Sequence, residues 1–256
     1  MHLTIYSGVI LFTLIAFASF VDSVAGGGGL ITIPSYLAVG VPAVLVLGTN
    51  KFVSTAGTGL AVYRLLKFTK VHTKLIIYFI FFSFIGSILG AVLSHVLTKK
   101  IMVYLLSGLI PILLAMNILK RRLLPYNNSA SVRYSNSIVL KGIFICIIIG
   151  AYDGFFGPGT GTFLFLAFSL FLGFAIKQAT VYARVINFIS NAAALSYFLM
   201  SNLIDWKVIT IALPAALIGS WCGSNLVIKG SEKWISWAVV FVLVLLLVKS
   251  INSILV

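Results

Sequence analysis

The chain has 256 residues, 61% hydrophobic and only 9% charged, with 18 lysines and arginines against four acids and a formal charge of +14. Soluble domains carry about 25% charged residues, so the composition excludes one and describes a polytopic membrane protein. The excess cations argue against nucleic acid as a partner, because they gather in short connections between apolar runs, which is the positive-inside pattern.

In chain order, the pattern predicts a long apolar helix over 3–24, a glycine-rich break at 25–29 and a short apolar segment over 30–39. A helix entered through a polar turn follows over 43–65, then plain spans over 74–98 and 101–119. A polar connection comes next, and the same series returns: 138–152, a break at 153–161, then 162–172, 174–200, 207–228 and 234–254. Pro34, Gly40 and Pro42 argue against a straight crossing over 30–48, so the chain reads as eight crossings with two broken or re-entrant elements. Ten crossings is the alternative, and the choice decides between parallel and inverted repeats. Two crossings separate Arg64, Lys67, Lys70 and Lys74 from Lys120, Arg121, Arg122, Arg133 and Lys141, which puts both clusters on one side, the cytoplasm. The first 25 residues lack a positive n-region and recur internally, so they read as part of the mature protein and not as a signal peptide.

The recurrence is specific. Asp22 and the run Gly26, Gly27, Gly28, Gly29 return 131 residues later as Asp153 and Gly157-Pro158-Gly159-Thr160-Gly161. Lys51 matches Arg184, Val71-His72 matches Ile204-Asp205, and Gly86 and Gly90 match Gly219 and Gly223, all at an offset of 133. A small insertion in the second copy accounts for the difference. The expected fold is all-α: a polytopic helical membrane protein of two homologous repeats, about four spans each, with glycine-broken or re-entrant segments. The repeats are 1–120 and 138–256, joined by a loop over 121–137.

Glycine runs inside a bilayer expose backbone groups that must be buried in protein or line a wet cavity. Short helices beginning near Leu30 and Thr162 would turn N–H groups and a positive dipole end toward an anion, with hydroxyls from Thr160 and Thr162 beside them. The blander reading is that the glycines only permit close helix crossing. Lys51 and Arg184 lie within apolar helices, where an unpaired cation costs roughly 2.5–3.5 kcal/mol on insertion scales. They are expected to face a central cavity, with snorkelling to an interface as the alternative. Thr49, Asn50, Ser54, Asn187, Ser190 and Asn191 add polar groups along the same two helices.

Asp22 and Asp153 have three open roles: helix capping, pairing with the two cations, and proton exchange in coupled transport. Asp205 and Glu232 read as surface charges, and Cys146 and Cys222 as packing residues. No metal site, cofactor or catalytic constellation is expected, and no Gly-Lys-Ser/Thr follows the first glycine run to make a P-loop. The expected partners are a small anion and the lipid bilayer, with a homo-oligomer left open. An anion channel and an integral-membrane enzyme are the competing classes.

These residues resemble the sulfite exporter TauE/SafE family of membrane permeases. The resemblance is carried by Asp22 to Gly29 with Leu-Ile-Thr-Ile-Pro34, by Gly48-Thr49-Asn50-Lys51, by Tyr152-Asp153-Gly154 through Thr162, and by Asp205-Trp206 with Gly219 and Gly223. It covers essentially the whole chain. It implies a multi-pass carrier of the inner or plasma membrane that moves small sulfur-containing or organic anions such as sulfite, thiosulfate or sulfoacetate, often outward. Pro158 and Thr160 stand where many members carry more glycine.

Overall fold

The computed structural model describes residues 5–68, 71–123 and 135–229. The expected span over 234–254, Glu232 and most of the 121–137 connection lie outside the described residues. Within them run α1 (Ile5–Ala25), α2 (Gly29–Ala38), α3 (Ala43–Leu66), α4 (Thr73–Leu93), a 3₁₀ turn (Ser94–Val96) and α5 (Lys99–Leu123). Then come α6 (Asn136–Phe155), α7 (Thr160–Phe171), α8 (Ile176–Met200) and α9 (Trp206–Ile228). No strand occurs among the described residues.

The order matches the expected series, with one difference that bears on the site. The second break was expected to begin at residue 153, but α6 runs on to Phe155 and holds Asp153 in its last turn. The helix can continue because Gly154 has no Cβ: one placed there would lie 1.9 Å from the Ser87 carbonyl oxygen of α4. The chain leaves the helix only at Phe156, followed by Gly157 at φ +98°. Asp22 occupies the corresponding last turn of α1, which Gly26 at φ +76° and Gly27 at φ +113° bring to an end. These backbone angles are in the left-handed range that glycine takes without a steric penalty.

Among the described residues, four stretches are long and apolar enough to cross a membrane: Ile5–Val24, Thr73–Val96, Asn136–Phe155 and Trp206–Ile228. By contrast, α2 has 10 residues and α7 has 12. At about 1.5 Å per residue they cover only half of a hydrocarbon core ~30 Å thick.

Helices in lipid gain little from apolar burial against one another, so they associate by close packing of small residues. The most extensive contacts are α1 with α9 and α4 with α6, while α3 lies against α8 and α9. Gly86 and Gly90 admit the Ile147 and Ala151 carbonyls of α6, and Gly219 and Gly223 admit those of Ala16 and Phe20 in α1. Both Gly-xxx-Gly pairs therefore serve contacts within the chain.

Two buried apolar clusters flank the centre. One gathers α2, Leu11 and Ile15 of α1, the start of α3, the face of α5 carrying Met102 and Leu106, and Ala212 and Ala216 of α9. The other gathers α7, the end of α3, Phe79 of α4 and the start of α8. In the second, Phe79 stacks on Phe168 at 5.5 Å while Tyr182 meets Phe174 edge-on at 5.0 Å. Phe81, Phe84, Leu89, Phe144 and Ile148 point outward, as lipid-facing side chains do.

Candidate functional site

The two glycine breaks meet. The Thr162 hydroxyl donates to the Gly26 carbonyl at 3.0 Å, and a Cβ on Gly26 would lie 2.6 Å from the Thr162 nitrogen. A Cβ on Gly29 would press on Pro158 Cα at 3.1 Å. The glycines thus let two half-length helices start from one shared core of backbone, which a side chain at either position would force apart.

Residues 48–51 of α3 point in successive directions about 100° apart, and each makes a different contact. Gly48 lies against the Leu203 carbonyl, where a Cβ would come within 2.0 Å. The Thr49 hydroxyl accepts from Asp205 N at 2.9 Å and ties down the turn that opens α9. Asn50 accepts from the Thr32 hydroxyl of α2 at 2.5 Å. Lys51 turns inward: only 1% exposed, its Nζ lies 2.8 Å from Asp153 Oδ2 and donates to Asn191 Oδ1 at 2.9 Å. It does not snorkel.

Around Lys51 the other polar groups are interlocked. The Thr160 hydroxyl lies 2.8 Å from Asp153 Oδ1 and 2.7 Å from the Gly157 carbonyl, while Asn191 Nδ2 donates to the Asn187 carbonyl at 2.8 Å. Arg184, 3% exposed, reaches the same break from α8: its guanidinium lies 3.0 Å from where a Cβ on Gly161 would sit, and Lys51 Nζ is equally close to such a position on Gly157. The two cations therefore stand at opposite ends of the second break. The first break is held by its own acid, since Asp22 Oδ1 accepts from Gly27 N at 3.1 Å and Gly28 N at 3.0 Å.

A cavity opens at this junction, with about 290 Å³ of space not filled by atoms when the adjoining open solvent is included, and every residue of its wall is one singled out from the sequence. Asp22, Asn50, Lys51, Ser54, Asp153, Asn187 and Asn191 contribute side chains, with Thr160 and Gly27, Gly29, Gly157, Gly159 and Gly161 between them. Gly26, Gly28, Thr49, Thr162 and Arg184 are outside the wall; Thr49 and Thr162 are bound to backbone, and Arg184 approaches it through Gly161. Several N–H and hydroxyl donors expected for a ligand are thus engaged within the protein: those of Gly27 and Gly28 by Asp22, that of Thr162 by Gly26. Among the described residues no group of three or more His, Cys, Asp or Glu comes together.

Sequence reasoning missed some supports. The Tyr152 hydroxyl donates to the Pro158 carbonyl across the break, and Arg64, read only as part of a basic loop, stacks on Trp221 at 3.8 Å and binds the Trp221 carbonyl, Ser224 and Asn225 of α9. The Arg64 contacts join segments more than 150 residues apart, which no residue pattern marks, while the Tyr152 contact spans six residues and depends on the turn the break makes.

Residues 11–250 match the family model described as Sulfite exporter TauE/SafE. Among curated proteins, the chain is 35% identical over 218 residues to a probable membrane transporter protein of Haemophilus influenzae, covering 85% of this chain and 84% of that one. It is 32% identical to probable membrane transporter protein ORF9 of a Sinorhizobium species (93% and 90% covered) and 31% identical to probable membrane transporter protein YfcA of Escherichia coli K12 (91% and 85%). No solved structure matches the chain.

Proposed function

The chain belongs to the sulfite exporter TauE/SafE family and is a multi-pass membrane transporter, and from that premise we propose that it is a secondary carrier of small sulfur-containing or organic oxyanions such as sulfite, thiosulfate or sulfoacetate. The observation that carries this reading is the buried Lys51–Asp153 pair, 2.8 Å long, at the meeting point of the two glycine breaks. A pair set in a polar cavity between half-length helices is an exchangeable one. An entering oxyanion competes with Asp153 for Lys51, and Arg184, at the far end of the same break, offers the second positive charge. Asp153 takes a proton in exchange, which couples anion movement to protons; Asp22 is the second coupling candidate.

We further read residues 1–120 and 138–256 as two repeats that rock about this junction, with 121–137 as their connection. Reciprocal contacts support the reading. Asp205 N donates to Thr49, and its match at an offset of 133, His72 N, donates to Tyr182, the match of Thr49, at 2.8 Å. The Gly-xxx-Gly pair of α4 packs on α6, and that of α9 on α1. For the anion's own charge the inside-negative potential favours outward movement, worth ~2.3 kcal/mol per elementary charge per 100 mV, and a co-moving cation offsets that drive.

The test is uptake of labelled sulfite, thiosulfate, sulfoacetate and a plain carboxylate into liposomes holding the purified protein, with and without a pH gradient. Saturable, gradient-sensitive flux of one sulfur anion is the expected result. Absence of flux for all four from folded protein would overturn the substrate class, and unsaturable current indifferent to the gradient would replace carrier by channel.

A further inference from the structure

A second pocket adjoins the first and shares Asp22 and Ser54 with it. Its other side chains are the methyl of Ala18 and the hydroxyls of Ser19 in α1, Thr32 in α2, Thr58 in α3 and Ser220 in α9. Ser220 is 2% exposed, yet its hydroxyl makes no hydrogen bond among the described residues, and neither do those of Ser19 and Ser54. Asp22 spends Oδ1 on Gly27 N and Gly28 N, and its Oδ2 accepts no hydrogen bond from the described residues. The wall therefore presents a carboxylate and several unused hydroxyl oxygens, and no cationic side chain.

Buried polar groups are rarely left unused, and Ser220 is such a group beside the half-buried Asp22, which points to an occupant between them. An anion would meet only the negative charge of Asp22. Magnesium gives up its waters reluctantly and is usually held by carboxylates with substrate phosphates, neither of which this wall supplies beyond Asp22. A monovalent alkali cation suits one carboxylate ringed by hydroxyls, and broken-helix transporters bind such ions beside the substrate. We propose that the Asp22 cavity is a sodium-ion site, and that the protein couples its anion to Na⁺ through it.

Two further observations agree. The half of the chain holding Asp153 is built differently at the matching places: Asn187, Ser190 and Asn191 stand at an offset of 133 from Ser54, Gly57 and Thr58. There the Ser87 hydroxyl is satisfied by the Ser190 carbonyl at 2.5 Å, whereas its match, Ser220, faces Gly57 and has no such bond. The missing side chain at residue 57 is part of what keeps the cavity open, since a Cβ there would come within 2.7 Å of Ser220 Oγ. The charge count accommodates an added cation. Asp22, Asp153, Lys51 and Arg184 sum to zero around the junction, so a monovalent oxyanion is balanced by the one proton on Asp153 and a second negative charge on the anion is offset by Na⁺ beside Asp22.

This inference deepens the carrier reading, and its test reads the ion without the anion. Purified protein is titrated with sodium, potassium or choline gluconate at constant ionic strength, following thermal unfolding and binding of ²²Na⁺. The expected result is saturable binding and a rise in Tm for Na⁺ that choline does not give. Gly57→Ala and Ser220→Ala should each weaken Na⁺ binding at least tenfold while the choline-state Tm is kept. Asp22→Asn should remove it, and the two milder variants keep the proposal testable if Asp22→Asn does not fold. Curves that superimpose for all three cations, or Na⁺ binding unchanged in both milder variants, would overturn the site and leave the cavity to water. Na⁺ binding with no sulfur-anion flux in liposomes would uphold the site and sink the substrate reading; pH-driven flux without Na⁺ binding would do the reverse.

Discussion

Separating Lys51 from Asp153 tests whether the pair holds the centre together as well as serving transport. At an effective dielectric constant of about 20, charges 2.8 Å apart attract by ~6 kcal/mol, and desolvation of both groups takes back a large part of this. Removing one partner strands a charge that the protein buries to within 1% exposure on either side, at a cost of about 3–5 kcal/mol. Removing both leaves neutral, space-filling side chains. Lys51→Met and Asp153→Asn should therefore each destabilise strongly, and the double variant should recover much of the loss. The expected coupling energy is about 3 kcal/mol, roughly 150-fold in an unfolding equilibrium. Reversible unfolding of the four proteins in mixed micelles measures it, with liposome flux in parallel. Flux should fall at least tenfold in all three variants, the recovered double variant included, which separates function from folding. Single-variant effects that add to within ~0.5 kcal/mol would refute the coupled pair, and normal flux in the double variant would remove it from the transport path.

Three other outcomes follow from the same geometry. Gly90→Ala places a Cβ 1.9 Å from the Ala151 carbonyl and should cost about 2–4 kcal/mol by separating α4 from α6; Gly108→Ala, with nothing among the described residues within 4 Å, should gain up to ~1 kcal/mol from helix propensity, and unfolding midpoints distinguish the two signs. Thr49→Val strands the Asp205 N–H and should lower stability by about 1–3 kcal/mol with little change in substrate KM, since Thr49 is outside the cavity wall. Arg184→Lys should keep Tm near that of the parent yet reduce flux at least tenfold, because an ammonium does not present the planar fork of a guanidinium to an oxyanion; unchanged flux would take Arg184 out of the site.

Much of the candidate site was legible because membrane chemistry makes its residues expensive. A lysine, an arginine, two acids and glycine runs inside apolar sequence stand out on composition alone, and the offsets of 131 and 133 tie them together. Helix ends were legible at the glycine breaks, where positive φ acts locally, but not at the caps: Asp205, read as a surface charge, accepts from Lys207 N and Val208 N at the start of α9, and His72 caps α4. Partner choice was another matter. From sequence, Lys51 stands out as a costly cation with Thr49 and Asn50 as polar neighbours beside it; only the folded helix sends one to a turn, one to α2 and one to the ion pair.

The sequence by itself determined the class, the helix order and the list of residues too costly to bury without purpose, since each depends on transfer energy and local backbone preference. Tertiary structure alone decided that Lys51 meets Asp153 rather than Asp22, and that a row of hydroxyls from four helices closes around Asp22. Those are distances between segments far apart in the chain, set by how the Gly-xxx-Gly faces cross, and residue order carries no record of them.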